Sequence, residues 1–215
     1  MPASDNYSYK RPKRFISGHL ETIYPALFRK VKGLAPAERE RLIVSDGDFL
    51  DLDWRKQRSK KLVIIQHGLE GASDRSYVLG MTKHFFNHGY DVLAWNFRGC
   101  SGEMNRAVRF YHSGATDDLA EVVDHALPNY ENVYLVGFSL GGNMTLKYLG
   151  EANRSSKIKA AVAVSTPLDL SRGADNLGTT RGKIYERRFL GTLIKKVRDK
   201  AEAMPGKIDT KPLEK

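Results

Sequence analysis

The chain has 215 residues, of which 41% are hydrophobic and 28% are charged, and its formal net charge is +10. This size suits a single domain with one hydrophobic core, and the composition excludes an intrinsically disordered chain. No apolar run approaches the ~20 residues of a membrane-spanning helix, and the single cysteine, Cys100, excludes an intrachain disulfide framework.

Residues 1–38 are expected to form an N-terminal arm ahead of the main fold. Residues 1–15 are polar and basic, and no apolar segment of a secretory signal follows them. With only one cysteine, this favours a reducing, cytoplasmic location. The positive charge would suit anionic lipid or nucleic acid, but we favour charge scattered over a solvated surface. Nucleic acid is therefore not an expected partner, and peripheral contact with a membrane stays open.

Residues 39–170 alternate between strand-like and helix-like segments and are expected to form the sheet core. Residues 41–44 and 49–54 predict a β-hairpin, because an Asp-Gly turn joins them. The unbroken apolar run 62–65 suits a strand buried on both faces of a parallel sheet. Strands are predicted over 61–66, 90–96, 132–136 and 158–164, with crossover helices over 76–88, 116–127 and 140–149. The predicted fold is α/β, a mostly parallel wound sheet with helices on both faces.

Beyond residue 170 the alternation ends. A helix is predicted over 183–203, where apolar positions lie among many basic ones, and no further strand is evident. We interpret 171–215 as a helical, cap-like segment. It either covers the candidate site or merely packs on the sheet, and the sequence does not decide between these two arrangements.

The strongest chemical signal is Gly137-Phe138-Ser139-Leu140-Gly141-Gly142, which follows a predicted strand and opens a predicted helix. This context is typical of a nucleophile elbow, in which a serine on a strained turn presents its hydroxyl to the substrate. Ser139 is therefore the predicted catalytic nucleophile, and Phe138 is expected to line the site. Glycines at 137 and 141 would remove side chains that clash across the bend.

A second signal, His67-Gly68-Leu69-Glu70-Gly71, directly follows the strand 61–66. In hydrolases with a nucleophile elbow, a loop at this place donates one N–H to the oxyanion hole. We predict that the backbone N–H groups of Leu69 and Leu140 form the hole, and that His67 and Gly68 line the site. The His67 side chain itself is expected to bond loop backbone. No cofactor is predicted, nor a metal site, because His67 and Glu70 lack further ligands at suitable spacing.

A third loop, residues 96–103, follows the strand 90–96. It should border the same crevice, because ligands of open α/β sheets bind at the carboxyl ends of the strands. Arg98 and Gly99 are expected to line the site there as wall and scaffold. Cys100 is an alternative nucleophile, which we disfavour because neither a helix N-terminus nor a paired histidine is evident beside it.

Five segments of the chain resemble the YheT-like branch of the α/β-hydrolases, also called the AB hydrolase 4 family. They occur in family order within residues 15–205, at 18–25, 67–71, 96–103, 111–114 and 137–144. The first is the most diagnostic, although Glu21 stands where the family more often has glutamine. The resemblance implies an α/β-hydrolase fold and esterase or lipase-like activity on small-molecule or lipid esters.

The sequence lacks a histidine where the family's catalytic triad requires one. Triad partners follow in the order serine, acid, histidine, yet every histidine precedes Ser139. The six are His19, His67, His84, His88, His112 and His125. The family's acid and histidine lie after two further strands without a counterpart here. We therefore expect a single but C-terminally truncated α/β-hydrolase domain, which lacks its last strands and its triad acid and histidine.

Such a chain should be nearly inactive by itself, because a serine without its base is a poor nucleophile. Asp169 as the acid and His112 or His19 as the base are alternatives that we disfavour. The strand 158–164 would become an exposed edge.

The residues leave two main functions open. The first is a serine hydrolase of carboxylic esters, similar to carboxylesterases and acylglycerol lipases, that works through an acyl-enzyme. The alternative is a non-catalytic remnant or lipid-binding module of the same fold, which the missing histidine favours. An electrostatic binder of nucleic acid or membranes is a third and weaker hypothesis, motivated by the net charge.

Overall fold

The computed structural model describes residues 10, 12–13, 15–151, 154–180 and 182–214. Its strands are β1 (Glu38–Ile43), β2 (Phe49–Arg55), β3 (Lys61–Gln66), β4 (Asp91–Asn96), β5 (Asn132–Phe138) and β6 (Ile158–Val164). Its helices are α1 (Gly18–Phe28), α2 (Ser76–Asn87), α3 (Thr116–Ala126), α4 (Leu140–Glu151), α5 (Leu170–Gly178) and α6 (Lys183–Ala203). Short 3-10 turns lie at Leu127–Asn129 and Lys211–Glu214. Every predicted strand and helix is present, with ends that differ by a few residues.

The strands form one sheet, with the order β1-β2-β4-β3-β5-β6 among the residues that the structure describes. The pairs β1–β2 and β2–β4 are antiparallel, whereas β4, β3, β5 and β6 are parallel neighbours. This confirms the hairpin and the mostly parallel sheet. β6 is the far edge, and its Val162 is 54% exposed, as expected of an apolar strand at an open edge.

The sheet carries helices on both faces, because successive side chains of its central strands point to opposite sides. Leu62 and Ile64 of β3 join the core packed by α3 and α4, whereas Val63 and Ile65 join the core packed by α2. All four side chains are fully buried. An unbroken apolar strand is therefore what two helical layers require.

Two helices, α1 and α5, have no counterpart among the predicted elements. The hydroxyl of Ser17 caps α1 by accepting the Leu20 N–H at 3.3 Å, and the helix contains Pro25. The carboxylate of Asp169 caps α5 by accepting the Arg172 N–H at 3.0 Å. Both helices lie wholly within the described residues and neither has a buried residue, whereas α3 buries one face against the core.

The helix α6 is anchored to the loop between β4 and α3. Lys200 is buried and donates to the Asn105 side-chain oxygen at 2.8 Å and to the Arg109 carbonyl at 2.9 Å. Burial lowers the pKa of the Lys200 amine to about 8. Within the described part of the chain no strand follows β6, and no helix is long and apolar enough to cross a membrane.

Candidate active site

Ser139 is the single residue between the end of β5 and the start of α4. Its φ is +51°, a left-handed conformation that residues other than glycine adopt only under constraint. Both of its backbone groups are held: the N–H donates to the Val164 carbonyl at 2.8 Å, and the carbonyl accepts the Asn143 N–H at 3.0 Å. The side chain is partly exposed. This is the geometry of the strand-turn-helix that the sequence predicts.

Glycines make this turn sterically feasible. A Cβ atom on Gly137 would lie 2.4 Å from the Gly141 carbonyl oxygen, and one on Gly141 would lie 2.4 Å from the His67 carbonyl oxygen. A Cβ atom on Gly68 would lie 3.3 Å from the Cβ of Ser139, so the second loop passes directly beside the candidate nucleophile.

We expect Gly141→Ala to reduce the free energy of unfolding by about 2–3 kcal/mol, because the new methyl group meets backbone atoms that cannot move aside. Gly150 is the matched control, since it lies in the same helix and a Cβ atom there meets nothing within 4 Å. Gly150→Ala should stabilise the protein by about 0.5–1 kcal/mol through helix propensity. Urea denaturation measures both changes, and equal effects would contradict the steric argument.

The His67 side chain is fully buried and bonds only backbone among the described residues. Its Nδ1 lies 2.7 Å from the Gly68 carbonyl oxygen, and its Nε2 lies 3.2 Å from the Phe97 nitrogen. Because the Phe97 N–H donates to Nε2, the imidazole must carry its proton on Nδ1. Burial lowers its pKa to about 4, so it stays neutral. The imidazole is therefore structural, as expected for this side chain, and does not itself line the site.

The four N–H groups of the loop 68–71 differ in their partners. Gly68 donates to the Tyr77 hydroxyl at 2.9 Å, Glu70 donates to the Tyr111 hydroxyl at 2.9 Å, and Gly71 donates to the Gly68 carbonyl at 3.0 Å. The Leu69 N–H has no acceptor within the described part of the chain. Two tyrosine hydroxyls thus hold the loop on either side of one free amide.

The Leu140 N–H is the other predicted donor. Leu140 is the first residue of α4, and the first N–H groups of a helix have no acceptor inside it. The N-terminal end of α4 also carries the positive end of the helix dipole. An anion beside Ser139 could therefore be received by the amides of Leu69 and Leu140, and this assignment stays a prediction.

Tyr77 and Tyr111, which hold this loop, are not among the residues predicted for the site. Tyr111 lies in one of the five segments that resemble the hydrolase family, which was the only available signal, and Tyr77 had none. The Phe138 ring, which is partly exposed, packs against the Tyr77 ring with centroids 4.9 Å apart.

The expectation that Arg98 lines the site is wrong for its side chain. The guanidinium is buried and contacts Asp46 at 2.7 Å, Asp48 at 2.9 Å and Asp118 at 2.7 Å. These three carboxylates draw it away from the crevice into an ion cluster between the β1–β2 turn and α3. Its neighbour Gly99 is partly exposed and has a φ of +67°, which suits a turn at the end of β4.

The Lys196 amine lies 3.4 Å from the Cys100 sulfur, but it does not activate the thiol. Burial raises the pKa of its thiol to about 11, so the sulfur is protonated at neutral pH. This agrees with the preference for Ser139.

The histidines do not provide a base for Ser139. The Ser139 hydroxyl has no hydrogen-bond partner among the described residues, and four of the other five histidines bond groups elsewhere. Their partners are the Tyr185 hydroxyl for His19, the His84 carbonyl for His88, the Gly114 N–H for His112 and the Glu40 carboxylate for His125. Asp169, the alternative acid, caps α5 instead.

The chain is similar to several known proteins. It is 34% identical over 198 residues to YheT of Escherichia coli (strain K12), which is provisionally named an esterase, and the match covers 89% of this chain and 58% of that protein. It is 31% identical to the monoacylglycerol lipase of Saccharomyces cerevisiae, covering 66% of this chain and 32% of the lipase. It is 29% identical to phospholipase ABHD3 of Bos taurus, and this match covers 71% of this chain and 44% of the phospholipase. The chain thus spans between 32% and 58% of the length of these relatives.

Comparisons of structure and of family pattern agree with the sheet described above. The structure of the Pyrococcus furiosus esterase Pf2001 matches with a TM-score of 0.57 at 21% identity, covering 79% of this chain and 72% of that one. The family model of the alpha/beta hydrolase fold matches residues 61–207, which contain the candidate site. The chain therefore belongs to the alpha/beta hydrolase fold family.

Proposed function

We propose that this chain carries the nucleophile and the oxyanion hole of a serine hydrolase that cleaves carboxylic esters. The Ser139 hydroxyl oxygen attacks the ester carbonyl and the alcohol leaves, which forms an acyl-enzyme. The N–H groups of Leu69 and Leu140 stabilise the oxyanion, and water then releases the acid. The observation that carries the proposal is the position of Ser139, which has a φ of +51° on the turn between β5 and α4. The loop 68–71, in which the Leu69 N–H has no acceptor among the described residues, passes directly beside it.

The proposed substrates are small-molecule or lipid esters. The names of the relatives support this class, since one is a monoacylglycerol lipase and another is a phospholipase. Peripheral contact with a lipid surface is part of the proposal, because the exposed apolar residues Leu27 and Phe28 are followed directly by the basic Arg29 and Lys30. A cytoplasmic location is also proposed, supported by the free thiol of Cys100.

A second candidate function is lipid or ester binding without catalysis. It is favoured by one observation, that the Ser139 hydroxyl has no basic partner among the described residues while every histidine precedes it in sequence. Under the first candidate, by contrast, a histidine and an acid would have to come from outside these 215 residues.

A fluorophosphonate probe tests the nucleophile. It should be applied to the 215-residue chain, to a longer form that also carries the sequence encoded after Lys215, and to Ser139→Ala variants of both. We expect mass spectrometry to find the phosphonyl group on Ser139 in the longer form, and no labelling of the Ser139→Ala variants. Labelling at another residue would overturn the assignment. Saturable binding of an ester with no labelling in any form would favour the second candidate.

A further inference from the structure

Glu70, which directly follows Leu69, is bound by residues from two other parts of the fold. The Lys196 amine of α6 lies 2.8 Å from its carboxylate, and the Tyr111 hydroxyl donates to the same carboxylate oxygen at 2.6 Å. Tyr111 also accepts the Glu70 N–H at 2.9 Å. One phenol therefore holds both the backbone and the side chain of Glu70.

The Glu70 carboxylate is poorly solvated, since only 9% of the side chain is exposed. Burial raises its pKa, but hydrogen bonds from Lys196 and Tyr111 outweigh burial and bring the pKa below its ordinary value. The carboxylate is therefore ionised, and Lys196 supplies the balancing charge. Without that lysine a buried anion would lack its counterion and would tend to turn towards water.

The backbone at Glu70 is constrained as well. Its φ is +52°, which is unfavourable for a residue with a side chain and persists only where the surroundings hold it. On the other side of Leu69, the Tyr77 hydroxyl holds Gly68. If the Glu70 carboxylate turned outwards, Tyr111 would lose its acceptor and the loop would be held on one side only.

We infer that Lys196 is a positioning residue, which acts through Glu70 and Tyr111 to fix the direction of the Leu69 N–H. The inference rests on the proposed function, because it assigns that N–H to the oxyanion hole. It also gives α6 a role in the candidate site, since the helix carries the charge that sets the geometry there.

Amide exchange of the 215-residue chain, followed by NMR, tests the positioning without any catalysis. We expect Lys196→Met and Glu70→Gln to raise the exchange rate of the Glu70 N–H about tenfold and to increase the mobility of the Leu69 N–H. Lys196→Arg should restore the wild-type behaviour. The matched control is Lys195→Met, which removes an exposed pair with Asp199 at 2.6 Å on the same helix. Unchanged exchange in both Lys196→Met and Glu70→Gln would overturn the inference.

The rate of fluorophosphonate labelling at Ser139 in the longer form supplies the chemical readout. Loss of one oxyanion donor costs about 10²–10³ in rate, so a misdirected donor should lower labelling about tenfold in Lys196→Met and leave Lys196→Arg within about twofold of wild type. Faster exchange of the Glu70 N–H in Lys196→Met, together with an unchanged rate of labelling at Ser139, would also overturn the inference. Absence of labelling in the wild type would instead count against the proposed function, and amide exchange would still show whether Lys196 holds the loop.

Discussion

The 215-residue chain is expected to hydrolyse p-nitrophenyl butyrate about 10⁶-fold more slowly than a longer form that brings a histidine to Ser139. Loss of the triad histidine from a well-studied serine protease has about this effect on kcat. The physical reason is that the Ser139 hydroxyl has no proton acceptor among the described residues, where the histidines bond other groups. The measurement is the steady-state rate of both forms at equal concentration.

Ser139→Ala is the control for this comparison. It should reduce the longer form to the rate of the 215-residue chain and leave the 215-residue chain unchanged, because a serine without its base contributes little. Imidazole in solution offers a further test, since it can replace the missing base: it should accelerate the short chain beyond the hydrolysis that imidazole itself catalyses, whereas the Ser139→Ala variant should show only that background. A short chain as fast as the longer one would show that a base lies within these residues.

The parts of the fold that depend on local pattern could be predicted. The run Leu62–Ile65 indicated a doubly buried strand, and the alternation from residue 39 onward indicated crossover helices on both faces. The turn at Ser139 was predictable because Gly137 and Gly141 lie two residues on either side of the serine, and a Cβ atom on Gly137 would meet Gly141 within the same turn. In each case the signal and the structure it specifies lie within one short stretch of chain.

Features that depend on distant side chains were not predictable from one sequence. Arg98 was assigned to the wall of the site, yet its partners Asp48 and Asp118 are 50 and 20 residues away along the chain. The contact between Lys196 and Glu70 joins residues 126 positions apart. Charged side chains carry no periodicity that reveals such pairs, whereas apolar ones do.

The buried ion cluster of Arg98 leads to the largest expected loss of stability. Arg98→Met should reduce the free energy of unfolding by about 3–5 kcal/mol, because it leaves Asp48 buried without a counterion and leaves Asp118 with only Arg109 at 3.9 Å. Burial raises the pKa of the Asp48 carboxyl, but hydrogen bonds from Asn105 and from backbone N–H groups outweigh it and hold the pKa at about 2. Asp48 is thus ionised at neutral pH, and removal of the arginine leaves this buried charge with hydrogen bonds but without an ion-pair partner.

Urea denaturation of Arg98→Met should be compared with that of Arg172→Met, which breaks an exposed pair with Asp169 and should change stability by less than about 1 kcal/mol. A depressed carboxyl pKa stabilises the fold above the unfolded value near 4 and ceases to do so as the pH falls towards 2. The wild type should therefore lose the stability that ionised Asp48 contributes as the pH falls from 4 to 2. Equal, small losses in the two variants would mean that the cluster contributes no more than a surface ion pair, and that the β1–β2 turn is held to α3 by packing alone.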